Sequence, residues 1–201
     1  MESRSARGKT AKGQQTRDRI VAEATRIFAR DGYRSGSLQR IAEACGLTQQ
    51  GLLHYFRSKA DLLQAVVEVR EEETAAHVQA AAAHEDEVDG FVDGVRHNAK
   101  TPHLVELMTV LSAESTSPDH PTNQWFTDRY DRLVARIAAG ITLEQSAGRW
   151  ASSADPVTAA RLVVAIADGL RLQRLLGHPE LDHAQVLADT VFWLRTGSPP
   201  E

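Results

Sequence analysis

Apolar residues recur along this chain at three- and four-residue intervals, and nowhere at the two-residue alternation of a half-buried strand over a useful length. Ile20, Ala24, Ile27 and Phe28 stand at i, i+4, i+7 and i+8, which predicts a first helix over about 16 to 30 with one core-facing stripe, ended at Asp31-Gly32. A compact stretch follows. Ser37 precedes Leu38, Ile41 and Ala42 at helical spacing, Gly46 stands where a left-handed C-terminal stop belongs, and Thr48 opens a second short helix. Within Thr48 to Phe56, the apolar Leu52, Leu53 and Phe56 are expected on the core side, with Gln49, Gln50, His54 and Tyr55 on or near the other. Two short helices joined by a Gly-bearing turn predict a helix-turn-helix with a buried face and a reading face.

The later pattern stays helical. Ser58, with Asp61 in the first turn, opens a long fourth helix whose Leu62, Leu63, Val66, Val67 and Val69 run on into Glu71-Glu72-Glu73 and the alanines of 75–83. Thr101-Pro102, Ser117-Pro118 and Asp155-Pro156 each set a capping residue before a proline at the first helical position. Helices are expected at about 86–100, 102–115, 118–146, 156–177 and 183–196, nine in all, which makes the fold class all-α. The eighth, from Val157 onward, is apolar around most of its circumference and needs partners on more than one side. Paired with the ninth in two copies, it predicts an intermolecular four-helix bundle through Val157, Ala160, Val164, Ala167, Val186, Leu187, Val191 and Leu194. Burial of both helices inside one chain is the competing arrangement.

Charge changes the picture in one respect. The 201 residues carry a net −4, yet residues 1–60 hold +7 and residues 61–201 hold −11. The basic third carries the helix-turn-helix, the footprint of a small module that meets phosphate while the rest stays away from it. Arg4, Arg7, Lys9 and Lys12 lie among residues 1–15, which offer almost nothing large and apolar to pack and are expected to form a flexible basic arm, either solubilising or reaching a minor groove. No apolar run approaches the roughly 20 residues of a membrane span, and no secretory leader opens the chain, so a cytoplasmic location is expected. The single cysteine, Cys45, excludes an intramolecular disulfide and is expected as a small buried filler beside the turn.

Chemistry-bearing constellations are sparse. Eight histidines include no HExxH; His77 and His84 stand seven apart, and His103 with Glu106 lacks the second Glu-x-x-His that a di-metal bundle needs. No Gly-rich phosphate loop and no Gly-x-Ser-x-Gly appears. No catalytic residue, metal or cofactor is assigned, and the chain is expected not to be an enzyme. Asp168, in the apolar eighth helix, is the one carboxylate in a costly position, with Arg171 as its expected partner.

The run GLTQQGLLHYFRSKADL from Gly46 to Leu62 resembles the DNA-binding signature of tetracycline-repressor-like (TetR family) regulators, and Phe28, Gly32, Tyr33, Ile41 and Ala42 extend the likeness upstream. The resemblance implies a helix-turn-helix DNA-binding domain over 1–60 and a helical ligand-sensing and dimerising domain over 61–201. It implies a homodimeric repressor of a roughly palindromic double-stranded operator, released by a small apolar effector. Gln49 and Gln50 are then the base readers, Gly51 gives the backbone room to approach, and Ser37, Arg40, Thr48, His54, Tyr55 and Lys59 hold phosphates. Leu53 departs from the family, which often carries a tyrosine there. Phe91, Met108, Trp125, Phe126, Tyr130 and Trp150 are the candidates to line an effector cavity. A helical enzyme or metal-binding bundle, and a constitutive DNA-binding adaptor without effector, are the alternative readings.

Overall fold

A computed structural model describes residues 2–80, 87–151 and 153–197, with side chains from residue 11 to 77 and throughout the two later segments. Among them are nine α-helices and no strand: α1 (Glu2–Ser35), α2 (Leu38–Ala44), α3 (Gln49–Leu53), α4 (Lys59–Ala80), α5 (Glu87–Asn98), α6 (Pro102–Glu114), α7 (Asn123–Ser146), α8 (Pro156–Leu175) and α9 (His183–Thr196). The all-α expectation holds. Two helix starts differ from the sequence reading. α1 begins at Glu2 and not near 16, because Arg, Lys, Gln and Ala are good helix formers and two glycines do not outweigh them. The side chains of Arg4, Arg7 and Lys9 lie outside the described residues, as does His84. α7 begins at Asn123, since the Ser117-Pro118 step opens a turn and not a helix.

Two compact units result: Met1–Glu71 with Glu106–Asn123, and Glu72–Val105 with Gln124–Glu201. The expected division near residue 60 is therefore redrawn. α4 contributes Leu62, Leu63, Val66 and Val67 to the buried interior of the first unit, and α6 contributes Leu107, Met108 and Leu111. With the α1 residues Ile20, Ala24 and Phe28 these give the helix-turn-helix an apolar support, each large side chain worth about 1.5 to 3 kcal/mol when fully buried.

A polar knot closes the first unit. Ser115 Oγ and Thr122 Oγ1 lie 3.1 and 3.0 Å from His120 Nδ1 and 2.8 Å from each other, and Asn123 Nδ2 donates to the Ser115 carbonyl at 2.7 Å. All three of Ser115, His120 and Thr122 are buried, and burial lowers the basicity of His120. The knot occupies the residues that the sequence pattern assigns to the start of α7.

In the second unit α8 packs on α9, and α5 packs on α9. Its core joins Val88 and Val92 of α5, Val134, Ile137 and Ile141 of α7, Ala160, Val163, Val164 and Ala167 of α8, and Leu187 and Val191 of α9. Gly140 is required there, because a Cβ would come within 2.9 Å of Glu87 Cβ. The Asp155-Pro156 start is borne out: the Asp155 carboxylate accepts from Thr158 N at 2.9 Å, and Pro156 is the first helical residue.

The core corrects the expected dimer face. Ala160, Val164, Ala167, Leu187 and Val191 are buried within their own chain, and Leu194 packs against the same core. Val157 and Val186 stay exposed. The apolar surface left over on α8 and its C-cap is a different stripe, Leu162, Ala165, Gly169, Leu172 and the capping Leu176 at three- and four-residue steps, joined on α9 by Val186, Phe192 and Trp193. Among the described residues, nothing outside its own stretch of helix lies within 4 Å of where a Gly169 Cβ would stand.

Candidate nucleic-acid interface

Cap chemistry builds the helix-turn-helix. Ser37 caps α2, its hydroxyl oxygen accepting from Arg40 N, and Thr48 caps α3, accepting from Gly51 N at 3.0 Å. Between them Gly46 takes φ +63°, which lets Gly46 N donate to the Glu43 carbonyl and Leu47 N to the Ala42 carbonyl, both at 2.9 Å. Arg19 of α1 ties the turn down by donating to the Cys45 carbonyl at 2.6 Å. Cys45 is buried, as its size and position predict, and burial raises its thiol pKa.

α3 is only five residues long, and its sides are unequal. Leu52 and Phe56 are buried, whereas Gln49, Gln50, His54 and Tyr55 are exposed. Leu53 corrects the sequence reading: at 37% exposure it lies on the outer side, one turn beyond Gln49 and Gln50, and not in the core. Gly51 sits against its own cap, and an added Cβ would meet Thr48 Oγ1 at 3.3 Å. The Ser37 and Thr48 hydroxyls accept from backbone amides and keep their own protons to donate outward.

The two cations expected at phosphates are engaged inside the protein. Arg40 Nη1 donates to Asp31 Oδ2 at 2.8 Å, and Arg30 binds the same carboxylate, holding it below the ordinary aspartate range. Lys59 donates to the Arg34 carbonyl at 3.0 Å and lies 4.6 Å from the centre of the Tyr33 ring; desolvation lowers its pKa against the pull of Glu114. Tyr33 is itself fixed, its amide donating to Glu114 Oε2 at 2.7 Å. Beside α3, an open groove is lined by Arg17, Tyr55, Phe56, Arg57, Asp61, Gln64 and Glu68, among others. Sequence reasoning passed over Arg17 and Arg57.

The candidate effector residues divide. Phe91, Tyr130 and Trp150 belong to one packed cluster of the second unit, and Trp125 meets Phe126 edge to face at 4.8 Å; Met108 belongs to the first unit. Asp168 pairs with Arg171 at 2.7 Å as expected, and also accepts from the Tyr130 hydroxyl at 2.6 Å, which with burial raises the Tyr130 pKa. Among the described residues no group of three or more His, Cys, Asp and Glu is placed to hold a metal ion, and no helix is long and apolar enough to cross a membrane.

Comparison with known proteins agrees with this geometry. Residues 20–66 match the family described as bacterial regulatory proteins, tetR family. The chain is 32% identical to the HTH-type transcriptional regulator TtgR of Pseudomonas putida over 92% of its own length and 90% of the relative's. It is 36% identical to the probable HTH-type transcriptional regulator ArpR of the same species over the same shares. A crystal structure of a TetR transcriptional regulator from Chloroflexus aurantiacus superposes with a TM-score of 0.74 at 26% identity, covering 90% of this chain and 96% of that one. These relatives are regulators of transcription. The chain belongs to the tetR family of bacterial regulatory proteins and is a DNA-binding transcriptional regulator of the repressor kind.

Proposed function

We propose that the protein is a ligand-responsive repressor that binds a roughly palindromic operator as a homodimer and reads it through Gln49 and Gln50. The observation that carries this reading is the exposed polar side of α3, with Leu52 of the same helix and Phe56 just beyond its end locked into the core. A glutamine amide matches the N6 and N7 edge of adenine bidentately, and Leu53 beside it offers apolar contact to a thymine methyl. Ser37, Thr48, His54 and Tyr55 supply hydrogen-bond donors to the flanking phosphates, contacts that fix register without reading sequence. Selection of bound duplexes by wild type and by Gln50→Ala tests the assignment: the variant is expected to lose about 1 to 3 kcal/mol of discrimination at one or two base positions. An unchanged consensus in the variant would remove Gln50 as a base reader.

The dimer is proposed to form through the exposed stripe of α8 with Val186, Phe192 and Trp193 of α9. Support comes from its extent: eight large apolar side chains of α8, α9 and the turn after α8 stand 38% or more exposed, and scattered single exposures do not line up at helical spacing. The effector is proposed to be small and mainly apolar, held within the second unit by aromatic side chains such as Phe91, Trp125 and Tyr130. The Tyr130, Asp168 and Arg171 chain of hydrogen bonds offers that region its polar handle.

A further inference from the structure

The helix-turn-helix unit spends its cations unevenly. Glu23 takes Arg26, Asp31 takes both Arg30 and Arg40, the Cys45 carbonyl takes Arg19 and the Arg34 carbonyl takes Lys59. Among the described residues, Arg17 and Arg57 have no carboxylate within ion-pair distance, and both line the groove at the C-terminal end of α3. Arg17 comes from α1 and Arg57 from the segment that follows α3, so two separate parts of the chain bring these charges together. Arg17 is also held in place: its guanidinium lies 5.0 Å from the centre of the Phe56 ring, and Phe56 is buried. A ring face orients a guanidinium without neutralising it, and a side chain already ordered gives up less freedom when it binds.

We infer that Arg17 and Arg57 grip the DNA sugar-phosphate backbone beside the recognition helix, and supply the counter-charge that the sequence assigns to Arg40 and Lys59. The inference rests on the reading of α3 as the recognition helix. Tyr55, exposed in the same groove, continues the line of backbone contacts from Thr48 and His54 toward the two arginines. Asp61 and Glu68 of α4 also line the groove, the latter accepting from Gln64 at 2.8 Å. Carboxylates repel phosphate, so a backbone in this groove is held nearer the two arginines than these α4 side chains. Arg40 already donates to Asp31, a carboxylate it shares with Arg30, and moving Lys59 to a phosphate would break its bond to the Arg34 carbonyl and its contact with Tyr33.

The test is the salt dependence of affinity for a duplex that wild-type protein has selected from a random pool, compared among wild type, Arg17→Gln, Arg57→Gln, Arg40→Gln and Lys59→Gln. Removing one phosphate interaction from each protomer lowers the slope of log K against log salt by about 0.9 per protomer, so a dimer lacking one arginine is expected to be roughly tenfold less sensitive to a fourfold change in salt. Arg17→Gln and Arg57→Gln are expected to show that reduction, and Arg40→Gln and Lys59→Gln less than half of it. Arg17→Lys, which keeps the charge over Phe56, is expected to retain the wild-type slope, and helical circular dichroism confirms folding of each variant. A full reduction of slope in Arg40→Gln and Lys59→Gln with wild-type slopes in the two groove variants would overturn the inference and leave the recognition helix standing. Wild-type slopes in all four variants, with Gln50→Ala still altering base preference, would overturn it as well. Failure of wild type to select any duplex would sink the recognition-helix reading itself.

Discussion

Replacing Leu172 and Trp193 together by aspartate is expected to leave the chain monomeric at micromolar concentration and to lower its operator affinity by roughly a hundred- to ten-thousand-fold. Leu172 lies in the exposed α8 stripe and is 47% exposed; Trp193 of α9 is 55% exposed, so neither substitution opens a cavity in the chain's own core. In a dimer, however, each aspartate would be desolvated against apolar surface with no cation supplied to it, a cost of several kcal/mol per buried charge. A dimer whose second recognition helix is tethered to the first gains affinity from effective concentration, and a monomer forfeits all of that gain. Leu187→Asp is the contrasting variant. Leu187 is fully buried in the chain's own core, so the charge there unfolds the unit and does not merely separate two copies. Light scattering and operator binding on the double variant settle the point: a dimer with undiminished affinity would remove the α8 and α9 face as the interface.

An effector held in the second unit is expected to weaken operator binding about 5- to 150-fold, the range of a coupling free energy of 1 to 3 kcal/mol. The coupling is reciprocal, so saturating operator must weaken effector binding by the same factor. α4 gives a physical route, because one continuous helix, Lys59–Ala80, contributes residues to both units and its first residue follows the helix-turn-helix directly. Trp125 and Trp150 report on the second unit by fluorescence, against a constant contribution from the exposed Trp193. Titration of small apolar and aromatic compounds with and without operator yields both affinities. A compound that binds tightly to this unit yet leaves the operator Kd unchanged would refute release by that compound.

The parts of the fold that are legible in the sequence are those fixed by local backbone chemistry. Ser37, Thr48, Asp155 and Gly46 each act within a few residues of themselves, and each does in the structure what its residue type requires. Leu53 is misplaced by its pattern because a helix of five residues is too short for periodicity to tell which of two adjacent leucines faces inward. α8 misleads for a different reason. When most of a helix's circumference is apolar, the sequence states that two partners exist and leaves open which arc each one takes; the structure assigns Ala160, Val164 and Ala167 to the chain's own core and leaves Leu162 and Leu172 outside.

The candidate site divides along the same line. The exposure of Gln49 and Gln50 is legible because polar residue type and helix face coincide over one turn. The engagement of Arg40 with Asp31, and of Lys59 with Arg34 and Tyr33, joins residues 9 to 26 positions apart, which no local pattern encodes. Arg17 escapes a sequence reading because nothing in α1 alone shows that its side chain meets the ring of Phe56, 39 residues further on.

Selection of duplexes from a randomised pool by the wild-type protein at about 0.15 M salt shows whether a dimer reads DNA through α3. The expected result is enrichment of a two-fold symmetric sequence whose half-sites have centres about 34 Å apart or a multiple of that distance, with adenine or thymine at positions facing Gln49, Gln50 and Leu53. A pool that emerges without an enriched sequence, or with a single unrepeated element bound equally well by the Leu172→Asp, Trp193→Asp monomer, would contradict it.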